Sequence, residues 1–110
     1  MNKELYDVIL DRRAHPQEGS YTNYLFEKGL DKILKKVGEE SAETIIAAKN
    51  LAAGNGSEEE LVGEINDLLY HVWVMMAQCG ISYEAVAEEN ARRSQKIGNL
   101  KPMKVVDRNT

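Results

Sequence analysis

The chain has 110 residues, 43% of them hydrophobic and 29% charged, which is the size and composition of one globular domain with a single core. Its 18 acidic and 14 basic side chains give a net charge of −4, which argues against a nucleic-acid polymer as partner because such proteins carry a basic face. A single cysteine, no signal-peptide pattern and no apolar run of membrane-spanning length exclude a disulfide scaffold and predict a cytoplasmic protein without a membrane partner.

An all-α fold is predicted, because helix-forming residues dominate between the only two prolines, Pro16 and Pro102. We expect one domain over residues 1–98, built as a bundle of four to five helices. The polar residues 99–110 that follow are expected to form a partly loose C-terminal tail.

Two helices are expected in the first third of the chain. The first runs from about residue 3 to residue 14 and is stopped by the His15-Pro16 step. Ser20 offers an N-cap to a short second helix, which Gly29 ends. The apolar face of the first helix is expected to bury Leu5, Val8 and Ile9.

Three further helices complete the expected bundle. A long helix is predicted over residues 30–52, before a Gly-Asn-Gly turn. Ser57, with a glutamate three positions on, opens the next helix, which continues to Gly80. Ser82 caps a last helix that ends near Gly98.

Four carboxylates lie at matching places on the two central helices. Glu40 and Glu43 are three residues apart on the first, and Glu64 and Asp67 are three apart on the second. Each pair therefore spans one turn at one edge of an apolar stripe. The short connection makes the helices antiparallel neighbours, and counting outward from it places the two pairs within about 3 Å of the same height. The four acids are expected to converge.

The ordinary alternative is that these acids are solvated and paired with lysines. Glu43 and Glu64 have no basic residue three or four positions away, and Glu40 has only Lys36. Residues 39–67 hold eight acids and one base, so the converging carboxylates would repel each other unless a cation neutralised them. An all-oxygen site of this kind favours Mg²⁺, with Mn²⁺ as a second possibility.

The chemistry expected of such a site is hydrolysis of a nucleotide phosphate. Mg²⁺ bound by a few carboxylates keeps open positions for water and for substrate phosphates. A carboxylate di-iron bundle is a rival interpretation, but those sites use Glu-x-x-His motifs, and neither His15 nor His71 follows a glutamate at that spacing. A third interpretation is a non-enzymatic helical interaction module whose acids are merely solvated.

These residues resemble the MazG-like superfamily of all-α nucleoside triphosphate pyrophosphohydrolases, whose signature is similar to Glu39-Glu40-x-x-Glu43 followed by Glu64-x-x-Asp67. The resemblance covers roughly residues 5–98. Longer strings are similar to the phosphoribosyl-ATP pyrophosphohydrolase family within it: Ser20-Tyr21-Thr22, Lys35-Lys36-Val37-Gly38-Glu39-Glu40, Ala47-Ala48-Lys49-Asn50 and Asp67-Leu68-Leu69-Tyr70-His71.

The resemblance implies Mg²⁺-dependent hydrolysis of phosphoribosyl-ATP to phosphoribosyl-AMP and pyrophosphate, the second step of histidine biosynthesis, by a homodimer. A housekeeping enzyme for free nucleoside triphosphates is the alternative with the same chemistry. Glu39 and Glu40 are the expected catalytic residues, with Glu39 either orienting or deprotonating the attacking water or pairing with Lys35. The implied metal ligands are Glu40, Glu43, Glu64 and Asp67.

Further side chains are candidates for substrate contact, and each also has an ordinary explanation as a solvated lysine, a helix cap or a buried histidine. His71, one turn after Asp67, is expected to hydrogen-bond that carboxylate and support it. On the long helix the candidates for phosphate contact are Lys36, Lys49 and Asn50. At the start of the second helix, hydroxyl and backbone N–H groups are offered by Ser20, Tyr21 and Thr22.

Overall fold

A computed structural model describes residues 3–98 of the chain, and these residues form helices joined by short turns. No strand occurs among the residues described, so the all-α prediction is confirmed. The predicted tail, residues 99–110, lies outside the described residues. The helices in chain order are α1 (Lys3–Ala14), α2 (Tyr21–Lys28), α3 (Leu30–Ala52), α4 (Glu58–Cys79) and α5 (Tyr83–Gly98).

The helix ends lie where the capping residues predict them. The Ser20 hydroxyl accepts a hydrogen bond from the backbone N–H of Asn23 at the start of α2. Ser57 does the same for Glu60 at the start of α4, over 3.1 Å. Gly80 ends α4 in the left-handed conformation, with φ 73°, which side chains other than glycine rarely adopt.

Helices α3 and α4 form a hairpin that shares the most extensive helix–helix contact among the described residues. The connection covers only residues 53–57, so the two helices run antiparallel. Near the middle of the hairpin, the Thr44 hydroxyl lies 2.8 Å from the backbone carbonyl of Glu40 and 3.2 Å from that of Glu64. This contact brings the acid-bearing turns of the two helices to the same height.

The core lies at the end of the hairpin away from its connecting turn, where α1 and α2 cover α3 and α4. Leu25 of α2, Ile33 of α3 and Val74 of α4 are fully buried there. Burial of these apolar surfaces is the main force that holds the helices together. The buried core consists of Tyr6, Ile9, Leu25, Ile33, Trp73, Val74, Met76 and Ala77.

The buried face of α1 differs from the predicted one. Ile9 is buried as expected, but Tyr6 takes the place expected for Leu5 and Val8, and Val8 is 50% exposed. The Tyr6 ring packs edge-on against Trp73, and its hydroxyl donates to the backbone carbonyl of Ile81 over 2.5 Å. Burial of the Tyr6 ring, with its hydroxyl bonded to a backbone carbonyl, stabilises this helix orientation more than burial of Leu5 and Val8 would.

Helix α5 has no buried residue. Within residues 3–98, no helix combines the length and the apolar composition needed to cross a membrane.

Candidate metal centre

Three of the four predicted carboxylates come together between α3 and α4. One oxygen each of Glu40, Glu43 and Glu64 lies within 4.8 Å of the others. Glu40 is only 6% exposed, Glu64 is half-buried and Glu43 is exposed, so the group extends from the interior of the hairpin to its surface. We refer to these three residues as the acid cluster. Their convergence is what the acid-x-x-acid spacing on two antiparallel helices predicts.

Asp67, the fourth predicted ligand, is not in this group. It lies one turn after Glu64 on α4, and its side chain is exposed. The helix places it at the correct edge, but its carboxylate does not come as close as those of the other three. Its role as a ligand stays a prediction.

The acid cluster contains buried oxygens that no protein group satisfies. Oε2 of Glu40 and Oε2 of Glu64 are buried and have no hydrogen-bond partner among the described residues. Leaving a buried charged acceptor without a partner costs more than the net gain of an ordinary hydrogen bond. Three carboxylates around one point supply the hard oxygen ligands that Mg²⁺ and Mn²⁺ prefer. The residues present therefore fit a divalent cation.

The electrostatics of Glu40 support the same fit. Burial raises the pKa of Glu40 above its ordinary value, and the negative charge of Glu43 raises it further. The nearby positive charge of Lys36 acts in the opposite direction but does not cancel the rise. A bound cation would stabilise the ionised form of Glu40, which burial disfavours.

Lys36 places a positive charge beside the acid cluster. Its ammonium lies 3.5 Å from Oε1 of Glu40 and 3.3 Å from Oε2 of Glu39. Partial burial would lower the pKa of Lys36, but its hydrogen bond to Glu39 and the neighbouring negative charges outweigh burial and raise that pKa. Lys36 is therefore cationic at neutral pH and lies next to the buried carboxylate of the acid cluster.

Glu39 faces lysines instead of the acid cluster. Besides its contact with Lys36, its carboxylate lies 3.9 Å from the ammonium of Lys35. Among the residues described, Glu39 is not part of the acid cluster. The structure thus shows the pairing that the sequence left open as the alternative to a role in water activation.

His71, one turn after Asp67 on α4, is buried and only 5% exposed. Its Nδ1 is 2.7 Å from the backbone carbonyl of Asp67, whereas the sequence predicted a bond to the Asp67 carboxylate. The carbonyl one turn earlier in the helix is the nearer acceptor, which accounts for the difference. The Nε2 of His71 is 3.1 Å from the hydroxyl of Tyr21.

The segment Ser20-Tyr21-Thr22 lies beside the same part of α4. Ser20 caps α2, so its hydroxyl has the ordinary role that the sequence also allowed. The Thr22 hydroxyl hydrogen-bonds the hydroxyl of Tyr70. Ser20 and Tyr21 also border an open groove of about 900 Å³ between the end of α1 and α2, which includes Tyr24 in its wall.

Tyr70 and Tyr24 are neighbours of the site that the sequence interpretation missed. The Tyr21 ring stacks on both, with centroid distances of 6.2 Å to Tyr70 and 6.0 Å to Tyr24. The signal for Tyr70 was its place directly before His71 in the string shared with the family. For Tyr24 the only signal was its position three residues after Tyr21 on the same helix, which places the two rings on one face.

Lys49 and Asn50 are not brought to the acid cluster. Both are exposed in the last turn of α3, and Lys49 lies two helical turns past Glu43. The backbone carbonyls of both accept hydrogen bonds from the turn that follows α3. At about 1.5 Å per residue, the backbone of Lys49 is about 9 Å along the helix from that of Glu43. Contact with substrate at these positions stays a prediction.

Comparison with known proteins gives one family. The family model for phosphoribosyl-ATP pyrophosphohydrolase matches residues 2–94 of this chain. A phosphoribosyl-ATP pyrophosphatase of Listeria welshimeri is 50% identical over 97% of this chain and 98% of its own length. A second one, from Clostridium novyi, is 50% identical over 91% of this chain and 86% of its own length.

A longer relative shares the same region. The histidine biosynthesis bifunctional protein of Thermoanaerobacter pseudethanolicus is 63% identical over 79% of this chain. The match spans only 38% of that protein's length, so the similarity concerns one part of it.

Proposed function

The chain belongs to the phosphoribosyl-ATP pyrophosphohydrolase family, and from that premise we propose that it hydrolyses phosphoribosyl-ATP to phosphoribosyl-AMP and pyrophosphate at the acid cluster. This reaction is the second step of histidine biosynthesis. The observation that carries the proposal is the convergence of Glu40, Glu43 and Glu64 within 4.8 Å, with two buried carboxylate oxygens that no protein group satisfies.

Mg²⁺ is the proposed cofactor, and Mn²⁺ would fit the same ligands. When bound, the cation supplies positive charge that polarises phosphoryl oxygens and makes water a better nucleophile at neutral pH. Glu40, Glu43 and Glu64 would hold it from two helices, and Asp67 would join them by a rotation of its exposed side chain. The Thr44 hydroxyl of α3 lies 3.2 Å from the backbone carbonyl of Glu64 in α4, and this contact would help to keep the two ligand-bearing turns side by side.

The reaction breaks the linkage between the α- and β-phosphates. Water attacks this linkage, its proton leaves to a basic group, and the electron pair of the broken bond goes to pyrophosphate. Glu40 is the proposed catalytic carboxylate, since it is the buried member of the acid cluster and one of its oxygens has no protein partner among the described residues. Lys36, 3.5 Å from Glu40, would neutralise charge on the phosphates.

Glu39 would contribute through its two lysines. Its contacts with Lys35 and Lys36 hold the Lys36 ammonium next to Glu40. Direct activation of water by Glu39 would require these ion pairs to open. We also propose that substrate contacts Ser20, Tyr21 and Thr22 at the start of α2, next to the groove. Lys49 and Asn50, in the last turn of α3, are proposed to contact substrate from the opposite end of that helix.

We also propose that the chain acts as a homodimer in the cytoplasm. The radius of gyration is 17.0 Å, whereas a compact domain of about 100 residues has about 13 Å. Helix α5 buries no residue, and Ile45 is 64% exposed on α3. A second copy would cover such surfaces. The single cysteine suits the reducing cytoplasm. Sedimentation at micromolar concentration tests the dimer, and a stable monomer would contradict it.

The function is tested by pyrophosphate release from a panel of substrates in Mg²⁺. We expect phosphoribosyl-ATP to turn over faster than ATP and other free nucleoside triphosphates. Glu40→Gln should abolish release while helicity is retained, and the exposed Glu59→Gln on the first turn of α4 serves as the matched control. Faster turnover of a free triphosphate would identify a housekeeping pyrophosphohydrolase instead.

A further inference from the structure

Two hydroxyl groups tie α2 to α4 beside the acid cluster. The Tyr21 hydroxyl lies 3.1 Å from Nε2 of His71, and the Thr22 hydroxyl bonds the hydroxyl of Tyr70. The residues on each side are sequence neighbours, so the two links connect the same turn of α2 to the same turn of α4. They differ in whether a further hydrogen bond connects them to a proposed metal ligand.

The link through His71 continues to a proposed metal ligand. Nδ1 of His71 bonds the backbone carbonyl of Asp67, which can only accept, so Nδ1 carries the proton. In the neutral ring Nε2 is then an acceptor, and the Tyr21 hydroxyl donates to it. A chain of two hydrogen bonds thus runs from α2 through a buried imidazole to the turn of α4 that bears Asp67.

Helix α2, which carries Tyr21, packs against α3 as well as against α4. Partial burial raises the pKa of the Tyr21 hydroxyl, the charge of Lys36 lowers it, and the charge of Glu40 raises it again. Both charges therefore act at the Tyr21 hydroxyl, and they belong to the ion pair at the edge of the acid cluster. Tyr21 is thus in reach of both helices that carry the proposed ligands.

We propose that Tyr21 is a positioning residue for the metal centre: through His71 it holds the Glu64–Asp67 turn of α4 in register with Glu40 of α3. This inference rests on the proposed function for the identity of the site. Loss of the hydroxyl would leave a buried Nε2 without a donor, which favours rotation of the ring or entry of water. Either change releases the turn whose carboxylates must be held within about 0.5 Å.

Tyr21→Phe tests the proposal, because it removes the hydroxyl and keeps the ring that stacks on Tyr24 and Tyr70. Titration calorimetry with Mn²⁺ alone should show a dissociation constant about tenfold higher than that of the wild type, the size of effect typical of groups that orient metal ligands. Far-UV circular dichroism and sedimentation should be unchanged.

Tyr70→Phe is the matched control, since it removes the other hydroxyl link between α2 and α4 but keeps the ring that packs on His71 and both hydrogen bonds of His71. Its dissociation constant for Mn²⁺ should stay within about twofold of the wild-type value, because the lost hydroxyl is not connected to a proposed ligand. His71→Asn provides a second variant, because the shorter amide can still donate to the Asp67 carbonyl but cannot reach Tyr21. Since His71→Asn already breaks the link to Tyr21, the double variant His71→Asn/Tyr21→Phe should bind Mn²⁺ no more weakly than His71→Asn alone.

The outcomes separate this proposal from the proposed function. Equal loss of Mn²⁺ affinity in Tyr21→Phe and Tyr70→Phe would show a general structural tie and overturn the positioning role, as would wild-type affinity in Tyr21→Phe. If the expected Mn²⁺ pattern appears but wild-type protein releases no pyrophosphate from phosphoribosyl-ATP, the positioning role stands and the proposed substrate is wrong. Wild-type protein that binds no Mn²⁺ would overturn both.

Discussion

The two halves of the α3–α4 hairpin are built differently. In the core half, residues 30–37 and 71–79, Ile33 and Val74 are fully buried under α1 and α2. In the turn half, residues 40–67, only Glu40 and Ala47 are buried, and Ile45 is exposed. The core half supplies most of the apolar burial, so the turn half can hold like charges together, at a cost that a bound cation would relieve.

The largest expected effect on stability lies in the core half. Ile33→Ala should lower the free energy of unfolding by about 2–5 kcal/mol, because the isoleucine is fully buried and its loss leaves a cavity. Ile45→Ala in the turn half changes the same residue type on the same helix and, measured in the monomeric state, should cost less than about 0.5 kcal/mol. Urea denaturation measures both, and equal losses would contradict the division into halves.

The largest effect on activity is expected in the turn half. Glu64→Gln should reduce pyrophosphate release by at least about a hundredfold, because it removes the α4 ligand of the acid cluster. Without metal, the same variant should melt at or above the wild-type temperature, since repulsion among the carboxylates is relieved. Glu60→Gln, one turn earlier and exposed, is the control. A variant that loses both activity and thermal stability would show that Glu64 is structural.

The raised pKa of Glu40 predicts opposite pH dependences with and without metal. A folded-state pKa above the unfolded value stabilises the metal-free protein below the ordinary glutamate range, and this stability is lost as pH rises through the raised pKa. Mn²⁺ binding needs the ionised form, so affinity should increase over the same pH interval. The groups that face Glu40 are Glu43 and Lys36 of α3, Glu64 and His71 of α4, and Tyr21 of α2.

The check is a pair of titrations. Chemical denaturation of metal-free protein and calorimetry with Mn²⁺ should each be run from just below the ordinary glutamate pKa of about 4.3 up to neutral pH, so that the interval includes the raised pKa of Glu40. Glu40→Gln should lack the pH-dependent part of the stability that Glu40 contributes. A metal-free wild type that gains stability relative to Glu40→Gln as pH rises would contradict the direction of the shift.

The smallest effect is expected at Glu39. Glu39→Gln breaks its exposed contacts with Lys35 and Lys36 but leaves the acid cluster in place. Because such ion pairs contribute up to about 1 kcal/mol, kcat/KM should fall by no more than about fivefold. Steady-state kinetics decide the point, and a loss comparable to that of Glu64→Gln would show that Glu39 activates water directly.

Local chemistry explains why the helix boundaries were predictable. Gly80 and the serine caps at Ser20 and Ser57 act within one turn of the chain, so the sequence alone contains the cause. The convergence of Glu40, Glu43 and Glu64 was also predictable, because helical spacing and a short connection fix which turns meet.

The remaining features depend on tertiary contacts or on rotamers. The buried face of α1 was predicted wrongly because Tyr6 reaches Trp73 and Ile81, residues distant in sequence. Helical spacing places Asp67 on the correct edge but does not set its side-chain torsions, so its distance from the acid cluster was not predictable. Helical spacing also does not set the torsions of His71, whose Nδ1 bonds the backbone carbonyl of Asp67 and not its carboxylate.

We propose above all that carboxylates from α3 and α4 hold a divalent cation between them. Crystals soaked in MnCl₂ test it directly through an anomalous difference map. The account predicts a peak bounded by Glu40, Glu43 and Glu64, with the Asp67 carboxylate turned toward it. A map with no peak between these helices, at Mn²⁺ concentrations that support hydrolysis, would contradict the account.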